Sequence, residues 1–275
     1  MNSTERMILG NDCIYSGDPE ETGLNRNVLI VGGTGSGKTK SYVEPELMEA
    51  LRVENPNNKC VILTKRDIPD RYIPLFEAAG FTVYDLDLSD SEKGNCCYDP
   101  LAYVKSEEDI SDLAHAIVMA NERKEHSNAD PFWDDSSEQL LGAEIGATLM
   151  TKNKPTFADV LDLHFSLKIE ESGCGITTSL DSLFKTIEKA APDCYAVVCW
   201  KTFKEAAAKT AKSIYVSLNP TLRAFTTSIR NNMRNKPPVD FDKFASEKSI
   251  LFITTSPVKK GSSWFGQYFR VSGDL

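Results

Sequence analysis

Apolar positions along the chain change their period, and the change separates two kinds of structure. A continuous apolar run stands at 27–31 (NVLIV), and short, mainly apolar segments at 60–64 (CVILT), 81–86 (FTVYDL) and 249–255 (SILFITT). Such runs suit strands covered on both faces in a parallel sheet. Between the first three lie helical spacings: Tyr42, Val43, Leu47, Met48 and Leu51 over 38–53, where Pro45 should bend or restart the helix, and 71–79, closed by Gly80. Residues 1–26 are polar with short apolar pieces, and turn signals at Gly10-Asn11 and Gly17-Asp18 predict a lead-in strand or loop.

Beyond Asp99-Pro100-Leu101 the period becomes helical throughout. Ile110, Leu113, Ala114, Ile117 and Val118 share a face over 107–121, and Leu140, Leu141, Ile145, Leu149 and Met150 over 134–151. The pattern continues through 157–167, 176–189, 195–218 and 221–233, with breaks at Pro192 and Pro220 and a stop at Pro237-Pro238. The reading is an α/β sheet core over 1–106, with right-handed crossovers, interrupted by a helical insertion over 107–236 and resumed over 237–275 by a returning strand.

The charge is unevenly spread. The whole chain carries a net −9, yet residues 1–199 hold 18 basic and 35 acidic side chains, and residues 200–275 hold 13 and 5. Contact with a polyanion therefore belongs in the last quarter, unless those cations pair with the acidic first part. Seven scattered cysteines (Cys13, Cys60, Cys96, Cys97, Cys174, Cys194, Cys199) without a CxxC pair suit reduced thiols in a cytosolic compartment. No stretch reads as a signal peptide or a membrane span.

The candidate chemistry lies at 32–39. Gly32-Gly33-Thr34-Gly35-Ser36-Gly37-Lys38-Thr39 fits G-x-x-x-x-G-K-S/T, directly behind an apolar run and before a helix. Glycines let backbone amides turn into one concave nest for phosphate oxygens, and the helix start adds unpaired N–H donors. Lys38 would reach the β and γ phosphates and Thr39 would place its hydroxyl on Mg²⁺. A dinucleotide fingerprint fails on register, and a kinase glycine loop lacks later HRD and DFG segments.

With these residues the chain resembles the TraG/TraD-like coupling-protein ATPases of conjugation and type IV secretion. The likeness runs through the phosphate loop, Glu44-Pro45, the strands at 61–68 and 80–88, and Tyr98-Asp99-Pro100-Leu101, which looks like the family's Asn-Pro-Leu turn. It continues in Asp109-Ile110, Asp130-Pro131-Phe132-Trp133, 208–218 and Asp240-Phe241. The resemblance implies an incomplete RecA-like P-loop NTPase core with an all-helical insertion, and binding of ATP and Mg²⁺. It also implies assembly into rings of about six subunits. The partners it implies are a relaxase–DNA complex or secreted proteins and secretion-channel components, with placement at the cytoplasmic side of the inner membrane. At the place of the family's Asp-Pro-Lys-Gly-Glu stands Leu63-Thr64-Lys65-Arg66-Asp67, so Lys65 and Asp67 are further site candidates while Leu63 removes one acid. The chain is expected to stop before the family's Walker B acids and to lack its membrane anchor, which makes turnover by this chain alone doubtful. A nucleotide-binding, non-catalytic module that recruits protein substrates is the alternative.

Three other groups of residues bear on function. Arg223, Arg230 and Arg234 recur at intervals of seven and four and would share a face of a helix over 221–233, as candidates for DNA phosphates. Lys236, Lys243, Lys248, Lys259, Lys260 and Arg270 extend the basic tail. Phe132 and Trp133 read as a packing anchor or a docking surface, with Asp134 or Asp135 capping the next helix. His115, His126 and His164 lack zinc-ligand spacing, and Trp264, Phe265 and 268–271 read as an apolar face after the returning strand.

Overall fold

The computed structural model describes residues 5–10, 13–90, 92–120, 130–173 and 175–255. They divide into two compact units, Met1–Asp87 with Val239–Thr255, and Leu88–Pro238. Cys174, His126, Asn11, Lys259, Lys260, Arg270 and the aromatic cluster 264–271 fall outside the described residues.

The first unit opens with β1 (Arg6–Gly10) and β2 (Cys13–Ser16), paired antiparallel. The Asp18 carboxylate accepts the Glu20 N–H at 2.9 Å and caps the short helix α1 (Pro19–Thr22), so the second turn signal becomes a helix start. The apolar run 27–31 is not the buried strand its composition predicts. It belongs to no described sheet, and Leu29 and Val31 are 87% and 85% exposed. An apolar run becomes a strand only when a neighbouring strand takes up its backbone hydrogen bonds, and no described strand lies beside this one. A wide turn of π-helical type, Thr39–Val43, then passes into α2 (Glu44–Arg52) at Pro45, where the expected restart occurs. β3 (Lys59–Leu63), α3 (Asp67–Ala78) and β4 (Thr82–Asp87) follow. α3 begins earlier than its apolar spacing indicates and is closed by Gly80 at φ 78°, a backbone angle few other residues adopt.

The second unit is mainly helical. Ser106 and Asp109 exchange hydrogen bonds in a capping box that starts α4 (Glu107–Met119), and Thr156 and Asp159 do the same for α6 (Phe157–Ser166). Between them α5 (Phe132–Thr151) is buried on nearly every side from Leu140 to Thr148. Its glycines explain how neighbours come so close: a Cβ on Gly146 would lie 2.7 Å from the Ala196 Cβ, and one on Gly142 would lie 3.0 Å from the Tyr195 ring. The insertion is not all-helical. β5 (Ile169–Ser172) and β6 (Gly175–Thr178) form an antiparallel hairpin with Gly173 at φ 55°, so the segment read as helix from 176 begins as a strand. α7 (Asp181–Ala190) and α8 (Tyr195–Lys204) come next, and 195–218 is divided between α8 and α9 (Ala208–Leu222). Pro220 does not break α9. It sits within the last turn, so a single intrahelical bond, to the carbonyl four residues back, is lost and the helix ends two residues later. The helix expected over 221–233 is likewise divided: after Leu222 the chain turns, Thr226 caps, and α10 (Thr227–Asn235) begins.

Asp240 accepts the Lys243 N–H at 2.8 Å to cap α11 (Phe241–Ser246), and β7 (Ser249–Thr254) returns to the first unit as expected. The sheet order is β3–β7–β4, all parallel, with Leu63, Thr254 and Asp87 in register at the carboxyl end. Asn58 ties the other end, accepting the Ser249 N–H at 2.8 Å. Ile250 and Phe252 face Leu47 and Ala50 of α2 and Ile68, Tyr72 and Phe76 of α3, a core that includes the edge-on rings Phe76 and Phe81 at 4.7 Å. The pattern is one face of a parallel sheet covered by α2, which leads into β3, and α3, which connects β3 to β4.

Candidate functional site

The glycine loop stands open at the start of the turn that leads into α2. Gly35 and Gly37 adopt φ 78° and 85°, and a Cβ at Gly33, Gly35 or Gly37 would meet nothing within 4 Å, so these glycines border open space. At Gly32 a Cβ would approach the Ser36 Oγ to 2.6 Å, which makes glycine a packing requirement there. The Lys38 ammonium folds back over the loop and donates to the carbonyl oxygens of Gly32 at 2.6 Å and Gly33 at 2.8 Å. Ser36 N–H donates to Gly33 O, and Ser41 closes onto Gly37 O through both its N–H and its hydroxyl. Thr34 and Ser36 lie in the loop, and Thr39 opens the helical turn. This donor set of freed amides, one ammonium on a flexible stem and one hydroxyl at a helix start has the chemistry to hold a polyphosphate and its cation. Glu44 is drawn toward α3 instead: Arg71 donates to it at 2.8 Å, which holds its carboxyl below the usual carboxylate range.

Lys65 and Asp67 are exposed, Asp67 as the first residue of α3. Between them the structure singles out Arg66, which motif matching passed over. Its guanidinium donates to Asp85 at 2.8 and 3.0 Å, to Asp87 at 2.9 Å and to Asp70 at 3.1 Å. Asp85 and Asp87 pair in register with Phe252 and Thr254 and point to the same face of the sheet. Arg66 therefore crosses the carboxyl end of the central strand, the edge at which open α/β sheets bind ligands. The spacing Asp85-Leu86-Asp87 was the available signal, since residues two apart in a strand share a face.

In the helical unit Arg223 is exposed just after α9, whereas Arg230 and Arg234 lie on α10 and both pair with Asp162 of α6. The three thus do not share one helix face. Phe132 and Trp133 stack edge-on at 5.3 Å and are partly exposed. The N-cap there is Pro131, preceded by Asp130, which accepts the Phe132 N–H at 3.0 Å, while Asp134 and Asp135 lie in the first turn instead of capping it. His164 is fully buried against Glu144, Nδ1 to Oε2 2.9 Å, and stacks on Tyr215. Burial pushes the Glu144 carboxyl up. No metal-binding group of His, Cys, Asp and Glu occurs among the described residues, and none of their helices is long and apolar enough to cross a membrane.

These features define an α/β protein with a parallel sheet, a lysine-ended glycine loop and a helical unit inserted before the central strand. The chain matches the family model for type IV secretory system conjugative DNA transfer over residues 1–263, and it belongs to that family. No curated protein matches it.

Proposed function

We propose that the chain is the ATP-binding part of a conjugative coupling protein, a RecA-like P-loop NTPase whose turnover drives transfer of DNA or a DNA–protein substrate. The observation that carries this reading is the loop 32–39: two left-handed glycines that border open space, and Lys38 held by loop carbonyls that a phosphate would replace. In this reading the amides of Gly33 to Thr39 orient the phosphates, Lys38 leaves Gly32 O and Gly33 O for the β and γ oxygens, and the Thr39 hydroxyl holds Mg²⁺. That cation, when bound, neutralises phosphate charge. Lys65 and Asp67 extend from the neighbouring sheet edge. The core is the first unit, Met1–Asp87 with Val239–Thr255, and Leu88–Pro238 is the recognition domain, a boundary earlier than the 106/107 that the sequence predicts. Arg223, Arg230 and Arg234 contact DNA, the partners are a relaxase–DNA complex or secreted proteins and channel components, and rings of about six subunits form at the cytoplasmic face of the membrane.

Calorimetric titration of the folded chain with ATP and ADP tests the reading. Millimolar or tighter affinity that falls at least about tenfold in Lys38→Ala supports it. A folded chain with no affinity at millimolar nucleotide removes it. DNA-stimulated hydrolysis separates the motor from a recruitment module that binds nucleotide without turnover.

A further inference from the structure

Arg230 and Arg234, one turn apart on α10, converge on a single carboxylate. Arg230 Nη1 lies 3.5 Å from Asp162 Oδ1, and Arg234 Nη2 bonds Asp162 Oδ2. Two positive charges meet one negative, and α10 itself (TSIRNNMRN) carries no acidic residue. The side chains are held by their surroundings as well: Arg230 also reaches the Thr227 hydroxyl and Arg234 the Ala158 carbonyl, both at 3.4 Å. The Arg230 Nε, buried, has no partner. Asp162 is 54% exposed. An ion pair this open to solvent is weak and exchangeable, while the guanidinium fork that makes it matches any planar pair of anionic oxygens.

We propose that Arg230 and Arg234 form a binding fork for one phosphate of a nucleic-acid backbone, and that Asp162 is its resident stand-in, displaced when the strand binds. The surplus positive charge attracts the strand without reading its sequence. Once displaced, the Asp162 carboxylate stands beside the phosphate and weakens the complex, so the same residue that shapes the fork also limits its affinity. The inference rests on the DNA-contact reading given above and adds to it the residue that sets the strength of the contact.

Fluorescence anisotropy of the whole chain with labelled 30-nucleotide single-stranded and duplex DNA, over a series of salt concentrations, tests it. Asp162→Asn should tighten binding about threefold or more at about 50 mM salt, the effect of removing one unit charge about 6 Å from a phosphate in water. The double change Arg230→Gln with Arg234→Gln should weaken binding and flatten the duplex log–log salt slope by about 0.9 for each phosphate the protein no longer neutralises. Asp162→Ser serves as a second variant, and thermal melts by circular dichroism confirm that each protein is folded. If the arginine changes weaken binding while both Asp162 variants leave it unaltered, the stand-in role is refuted and the DNA surface stands. If the arginine changes leave affinity and salt slope intact, or no variant binds DNA at low salt, both readings fall.

Discussion

Arg66 donates to Asp87 at 2.9 Å across the end of the strand that separates β3 from β4, and the Asp87 side chain is wholly shielded from solvent. Removing the guanidinium takes a fixed countercharge away from two carboxylates, Asp85 and Asp87, in a dry place. Arg66→Ala should therefore lower unfolding stability by about 3–5 kcal/mol, and Arg66→Lys should recover only part of it because an ammonium cannot bridge both acids as a fork does. Urea denaturation followed by circular dichroism measures this. An Arg66→Ala midpoint equal to that of the unaltered chain would show that the clamp contributes nothing.

Asp99 gives stability a pH dependence of unusual sign for an acid. Its Oδ1 accepts the N–H groups of Leu101 and Phe157, both at 3.0 Å, and burial raises its pKa to about 6. The same burial, with the Asp99 charge nearby, pushes the Cys97 thiol to about 12. Because the folded pKa lies above the unfolded one, the folded state holds its proton longer, and stability declines as pH rises from about 4 to about 6. The loss amounts to about 3 kcal/mol at most. Asp99→Asn keeps an acceptor oxygen for both amides and should abolish this slope. Unfolding midpoints between pH 4 and 7 for the two proteins test the expectation, and parallel curves would refute it.

At Gly146 the helices α5 and α8 are in contact with no room for a side chain. Gly146→Ala places a methyl group where Ala196 already stands, and overpacking of this kind costs about 1–3 kcal/mol, more for Gly146→Val. An Ala196→Gly change should restore part of the loss in the double variant, a coupling that thermal melts can read.

His164 and Glu144 form a pair that shares its burial. His164→Ala leaves an acid with no imidazole beside it, while Glu144→Gln keeps a hydrogen-bonding group. A double-mutant cycle should return a coupling of about 1 kcal/mol or more, and additive effects would mean the contact is incidental.

The parallel sheet was readable because β3, β4 and β7 are short, mainly apolar runs set between helical spacings. NVLIV has a similar texture yet pairs with no strand among the described residues: hydrophobicity states a preference for burial, not who supplies the partner. The hairpin 169–178 was missed because helical periodicity outweighed its glycine turn signals. The loop 32–39 was singled out as a candidate from its spacing alone. Arg66 was not, since its three carboxylates come from α3 and β4 and only folding brings them together. The Arg230–Asp162 contact was hidden in the same way, although the charge asymmetry of the chain had pointed to such pairing.

The central position of β7 has a consequence for how the chain is born. Its hydrogen-bonded neighbours lie far upstream, as the 191-residue separation of Asn58 and Ser249 records. On a ribosome the helices of Leu88–Pro238 emerge whole and can pack while the earlier strands still lack their middle member. Until residues 249–254 leave the exit tunnel, β3 and β4 expose unsatisfied edges, and chaperones that shield such edges during translation should decide the yield of native protein.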